Sequence, residues 1–97
     1  MEGFAVPLTR RVTFRRMLQM GDRVQIPKLI RWEFKLEIGQ VLRVGFSVPN
    51  MFRDWQFFYA KMEKDGRVLI PREILSIWQD EKTSLTGYIV EVTLEPA

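Results

Sequence analysis

Neither cysteine nor histidine occurs among the 97 residues. Their absence removes thiol nucleophiles, disulfides, the usual zinc ligands and the side chain that most often does acid-base work near neutral pH. No glycine-rich phosphate loop is present, and Asp22 and Asp65, the carboxylates beside the two tight turns, are ordinary turn chemistry. No residue is nominated for catalysis, for a cofactor or for a metal, and the chain reads as a non-enzyme. It also lacks any apolar run approaching the roughly 18 residues that span a bilayer. Met1 to Pro7 does not combine a basic region with an apolar stretch. A soluble cytoplasmic protein with no membrane partner is the expectation, and a cysteine-free chain suits a reducing compartment. Nothing in the chain is low in complexity.

A chain of this length suits one domain, residues 1–97, and a domain of roughly 100 residues folds without a staple. Net charge is a mild +3, unevenly placed. Arg10, Arg11, Arg15 and Arg16 come before the next acid, Asp22, whereas the last third carries Glu73, Asp80, Glu81, Glu91 and Glu95. The basic half makes an anionic partner a candidate.

What the chain does contain is a duplication. Arg23-Val24-Gln25-Ile26-Pro27-Lys28-Leu29-Ile30 falls on Arg67-Val68-Leu69-Ile70-Pro71-Arg72-Glu73-Ile74 at a shift of 44 residues, with Phe14 on Phe58 and Leu18 on Met62. Downstream, Gly39-Gln40-Val41-Leu42-Arg43-Val44 resembles Gly87-Tyr88-Ile89-Val90-Glu91-Val92 after a further offset of four. Repeat 1 covers about 11–48, a connector 49–54, and repeat 2 about 55–94. Phe4 to Leu8 reads as a short edge strand, because Pro7 cannot donate to a ladder. Arg11 to Met20 alternates with Val12, Phe14, Arg16, Leu18 and Met20 on one face; Gly21-Asp22 then turns the chain into Arg23 to Pro27, giving a hairpin. Pro27 starts a helix over Lys28 to Leu36, with Leu29, Trp32 and Leu36 as its apolar stripe and Ile30 and Phe34 beside it, ended by Gly39. Gln40 to Val48 is a strand. The second copy repeats the order: strand Trp55 to Lys64, turn Asp65-Gly66, strand Arg67 to Ile70, a helix from Pro71 with Ile74, Ile77 and Trp78 inward, a polar loop Gln79 to Thr86, and strand Tyr88 to Leu94. That last strand reads without strict alternation, as from a bulge or burial on both sides. One copy leaves the apolar side of its strands wet. Two copies face to face make a mainly β, six-stranded barrel or near-barrel with two short helices.

The Arg-x-x-Ile-Pro-basic segments at Arg23 and Arg67, each followed by a helix, a glycine and a strand, resemble the AbrB, MazE and MraZ family of swapped-hairpin domains. The second copy fits through Ile74; the first has Leu29 where the family favours Glu but keeps Leu36-Glu37-Ile38-Gly39 at the helix exit. With both halves in one chain, the protein is similar to single-chain cradle-loop barrels of the RIFT or double-psi type, which include small archaeal proteins; the strand order among these stays open. The resemblance implies DNA binding by a transcriptional regulator through basic residues around the turn and return strand, here Arg23, Lys28, Arg67 and Arg72. Barrels of the same superfamily also bind protein or ligand with no role on DNA.

From the residues themselves, Arg10, Arg11, Arg15 and Arg16 beside Arg23 across the hairpin form a candidate phosphate-contacting stripe, set against a solvated face partly neutralised by Glu33, Glu37 or Glu63. The twin basic pairs suit a duplex met at two places. Trp32, Trp55, Trp78 and the neighbouring Phe34, Phe52, Phe57, Phe58 and Tyr59 offer a stacking platform for single strands, but Trp32, Trp78 and Phe58 read as core. The alternative function is a protein-interaction or assembly module using Met51, Phe52 and Trp55 in and beside the connector. Monomer and homodimer are both open.

Overall fold

The computed structural model describes residues 10–49, 51 and 54–96; the strand expected over Phe4 to Leu8 lies outside them. Eight elements follow in order: β1 (Val12–Met17), β2 (Arg23–Gln25), α1 (Lys28–Glu33), β3 (Val41–Ser47), β4 (Gln56–Lys61), β5 (Arg67–Leu69), α2 (Arg72–Leu75) and β6 (Ile89–Glu95). Four strands make an antiparallel sheet in the order β1-β6-β3-β4, and β2 pairs with β5 as an antiparallel ribbon. The protein is therefore mainly β with two short helices.

The backbone bonds of one half recur in the other. Gln19 N–H donates to the Arg23 carbonyl at 2.8 Å, and Glu63 N–H donates to that of Arg67 at 2.8 Å. Ile26 N–H donates to the Gly66 carbonyl at 2.9 Å, and Ile70 N–H to that of Asp22 at 2.8 Å. Leu18 N–H donates to the Tyr88 carbonyl at 2.9 Å, and Met62 N–H to that of Gln40 at 3.0 Å. Counterparts also meet across the ladders: Val24 faces Val68 in the ribbon, and Gly45 faces Thr93 in the sheet. Ile26 and Ile70 are both fully buried in the same apolar core.

Two expectations about strand pairing give way. The first is a closed six-stranded ladder: sheet and ribbon are separate ladders that line one core, built from Leu42, Val44, Phe46, Val90, Val92 and Leu94 on one side and Val24 and Val68 on the other. The second is the β1–β2 hairpin. After the turn only the single bridge Gln19–Arg23 joins these strands, and β2 pairs with its counterpart instead. Each ribbon strand has three residues and one inward side chain, so pairing Val24 with Val68 buries both and leaves nothing to extend along β1. Strand β6 turns out to alternate: Val90, Val92 and Leu94 all point inward, and Thr93 and Glu95 are buried on the outer face by their neighbours.

Helix α1 is shorter than expected and turned differently. Pro27 caps it with an extended ψ of 138°, and its carbonyl accepts from Arg31 N–H at 3.0 Å. It ends before Gly39, in a left-handed Lys35 (φ 52°), with Leu36 N–H donating to the Arg31 carbonyl at 2.9 Å and Lys35 N–H to that of Trp32 at 3.3 Å, the paired bonds of a Schellman stop. With only six residues, one face suffices to anchor it, and Ile30 and Phe34 supply that face. Leu29 and Trp32 are left 75% and 78% exposed, contrary to the expected stripe. Met20, expected inward, is likewise exposed, because it lies in the turn beyond the end of β1. In the second copy Ile74, Leu75, Ile77 and Trp78 pack inward, with Trp78 edge-on to Phe46 at 5.4 Å.

Candidate functional site

The ribbon presents its charges outward because its valines point in. Arg23, Gln25 and Arg67 alternate with Val24 and Val68, so their side chains leave on the solvent side. Each arginine is held by a carboxylate. Arg23 Nε and Nη2 donate to the two oxygens of Glu63 at 2.8 and 3.2 Å, and this bond, followed by the Glu63 charge, raises the guanidinium's affinity for its proton further. Arg67 Nε donates to Asp65 Oδ2 at 2.7 Å, which holds the Asp65 carboxyl below the usual carboxylate range. Gln25 Nε2 donates to the Asp65 carbonyl at 2.8 Å, tying the ribbon to the second turn. Lys28 and Arg72, the first residues of α1 and α2, are exposed at the chain's exit from each ribbon strand. Four of the nominated cations therefore form two matched pairs around the ribbon.

The other three do not join them. Arg10 Nη2 donates to Glu33 at 3.1 Å and its guanidinium lies 5.1 Å from the Phe34 ring centre, so it is strapped to α1. Arg11 and Arg15 flank Thr13 on the outer face of the sheet, where Arg11 pairs with Glu95 and Arg15 Nε donates to Glu91 at 3.2 Å. The single stripe joining Arg10, Arg11, Arg15 and Arg16 to Arg23 is thus not formed, since β1 and β2 belong to different ladders. Arg16 occupies the inward register opposite Val90 and is exposed at the sheet edge.

Of the connector residues, Met51 is half-buried against the core, which removes it from an exposed patch. Phe52 lies outside the described residues. Trp55 is half-buried and stacks on Phe57 at 6.4 Å on the outer face of the sheet. The exposed apolar surface lies elsewhere: Leu29 and Trp32 stand where the second copy has Glu73 and Ser76.

No protein-family model matches this sequence, and no curated protein matches it. Among solved structures, the chain is similar to the solution structure of PHS018 from Pyrococcus horikoshii. The two share 20% identity with a TM-score of 0.72, over 87% of this chain and 88% of that one. At that identity the likeness speaks for the fold, and it spans nearly the whole of both chains. Among the described residues no helix is long and apolar enough to cross a membrane.

Three features escaped the sequence. Arg43 joins Arg11 on Glu95 and lies 4.3 Å above the Phe57 ring. Phe57 and Tyr59, named among the stacking candidates but not given a face, point outward with Trp55, a period-two set that the apolar character of Phe58, Ala60 and Met62 on the opposite face had masked. Arg31 crosses the second turn, donating from Nε to the Ile26 carbonyl at 3.0 Å. Alternation through β4 was the signal for the second of these; the other two are set by tertiary contacts.

Proposed function

We propose that this chain is a single-chain relative of the AbrB, MazE and MraZ swapped-hairpin regulators, its sheet and ribbon being the two walls of a cradle-loop barrel with a local twofold axis through Val24–Val68 and Gly45–Thr93. It binds double-stranded DNA with the ribbon end and acts as a cytoplasmic transcriptional regulator, not as an enzyme. One observation carries the reading: Arg23 and Arg67, twofold counterparts, project from the outer face of a two-stranded antiparallel ribbon. A B-form major groove admits an element of that width, and Gln25 between them has the chemistry to read an adenine edge. Lys28 and Arg72 stand where flanking phosphates would run, and counterion release at these contacts supplies most of the affinity. Glu63 and Asp65 engage both arginines and compete with phosphate for them.

The test is fluorescence anisotropy with a labelled random-sequence duplex across a salt series. Binding that weakens steeply with salt supports the reading. So does a further weakening in Arg23→Ala/Arg67→Ala, with a salt slope shallower by about 0.9 for each phosphate no longer neutralised. Glu63→Gln is expected to tighten binding by freeing Arg23. A protein that leaves every duplex unbound at low salt, or a double variant with unchanged affinity, ends it.

The second reading, an assembly module with no nucleic-acid activity, is favoured by the unmatched exposure of Leu29 and Trp32 on α1. Its occupant is a second copy, which brings the same apolar pair to the contact. Installing the second repeat's own residues, Leu29→Glu with Trp32→Ser, then converts a dimer to a monomer in sedimentation velocity. A wild-type chain that sediments as a monomer at high concentration refutes it.

A further inference from the structure

The outer face of the four-stranded sheet lies on the far side of the core from the ribbon, and its two edges differ in chemistry. Along β1 and the residue before it the outward positions are Arg11, Thr13 and Arg15; along β4 and the residue before it their counterparts at the 44-residue shift are Trp55, Phe57 and Tyr59. Between these walls the central strands offer small side chains: Thr93 on β6 and Gly45 and Ser47 on β3. The Phe57 ring lies over Gly45 so closely that an added Cβ would come within 2.6 Å of it. The result is a trough of about 190 Å³ lined by Arg11, Thr13, Thr93, Trp55 and Phe57. Farther along β1 and β6 a wider hollow of about 570 Å³ is lined by Arg15, Ile89, Tyr88, Met51 and Pro49. The first hollow thus pairs Arg11 with the rings of Trp55 and Phe57, the second pairs Arg15 with the single ring of Tyr88 among aliphatic neighbours, and Arg11 and Arg15, four strand residues apart, are spaced by about 14 Å.

We propose that this face is a track for single-stranded nucleic acid, with Arg11 and Arg15 on phosphates that are not adjacent but a nucleotide further apart, and Trp55, Phe57 and Tyr88 stacked on bases. Charge favours that occupant. The face carries Arg11, Arg15, Arg43 and Lys61 against Glu91 and Glu95, and Glu95 is buried and already shared by Arg11 and Arg43. Polyanion binding needs such a positive surplus, and stacking on aromatic rings tolerates any base. A second copy fits poorly, because sheet-on-sheet packing would strip water from the ion pairs that run across the middle of the face. Tyr59, 64% exposed beside Arg43, extends the stacking wall. This surface is separate from the ribbon, so the two can be tested apart.

The experiment is anisotropy with labelled dT12 and rU12, with an unlabelled duplex as competitor. Binding of either oligonucleotide is expected, with log affinity falling by about 0.7 per phosphate contact for each decade of salt; the better of dT12 and rU12 identifies DNA or RNA as the source. Phe57→Ala should weaken it roughly tenfold or more, and Tyr59→Ser, at a position 64% exposed, by a smaller factor. Arg23→Ala/Arg67→Ala should leave it unchanged, and duplex should not displace the strand. No binding of either oligonucleotide at low salt, unchanged affinity in both aromatic variants, loss of binding in the ribbon variant, or a preference for acidic or proline-rich peptides over oligonucleotides would overturn the proposal.

Discussion

The second tight turn offers a sharp test of how the halves are built. Gly66 sits at φ 82° and its counterpart Asp22 at φ 63°, so both turns need a left-handed residue at the same place. A non-glycine side chain there costs about 1–2 kcal/mol, offset by about 0.4–1 kcal/mol from the stiffer unfolded chain. At Gly66 a second penalty arises, because a Cβ would lie 2.4 Å from Arg31 Nη1. The guanidinium is the free end of a flexible side chain and can swing aside, but it then gives up its bond to the Ile26 carbonyl, worth about 0.5–1.5 kcal/mol. Gly66→Ala should therefore destabilise by about 2 kcal/mol, a fall in Tm of roughly 8–16 °C for a domain of this size. Asp22→Gly trades left-handed strain against chain entropy and should stay within about 0.5 kcal/mol of the parent. Urea unfolding measures both. In an Arg31→Ala background, Gly66→Ala should lose its excess cost, and that cycle isolates the Arg31 interaction. Equal effects at the two turns, or a Gly66→Ala protein as stable as the parent, would refute the argument.

Other consequences are simpler to state. Ile26→Ala and Ile70→Ala, at fully buried counterpart positions, should each cost about 3 kcal/mol and agree within about 1 kcal/mol in urea unfolding. Lys35→Gly should raise stability by about 0.5–1 kcal/mol, read as a higher Tm, because the Schellman stop at φ 52° favours glycine. The lowered proton affinity of Asp65 means that its bond with Arg67 adds stability fully present above the unfolded carboxyl's value of about 4 and lost as pH falls through the lower folded value. Asp65→Asn should flatten that acid limb of the stability profile.

Sequence pattern made the elements legible because their punctuation is local. Pro27 and Pro71 begin helices and Gly66 and Gly87 take left-handed turns, since the chemistry that specifies each lies within a few residues. Partner choice was not legible. A period-two pattern says that Val24 faces inward but not whether it meets β1 or β5, and the pairing is decided by which arrangement buries both valines. Face assignment failed for Leu29 and Trp32 on α1 for a related reason: with Leu36, which does pack against the core beyond the helix, they form as good a stripe on paper as Ile30 and Phe34, and the exit direction from Pro27 selects between them. Likewise seven cations could be nominated from the sequence, without Arg31 or Arg43, but their division between ribbon, helix and sheet depends on ladders that the linear spacing does not encode.

The duplication also separates what packing demands from what it leaves free. Inward positions match between halves: Phe14 with Phe58, Leu18 with Met62, Val24 with Val68, Ile26 with Ile70. All must fill one close-packed core, where a change of a methylene is felt. Outward positions of the same strands have parted: Arg11, Thr13 and Arg15 against Trp55, Phe57 and Tyr59. Strand stability does not require that split, since threonine or lysine would serve on either edge. Exposed aromatic rings are a solubility liability on a sheet edge, so their concentration on β4, opposite arginines on β1, points to a ligand with one anionic and one planar side. The ribbon shows the contrary pattern, with Arg23 and Arg67 kept alike, as a twofold target would need. Two surfaces of one small fold thus behave in opposite ways under the duplication, one parted and one keeping its arginines, and each pattern is of the kind its proposed ligand requires.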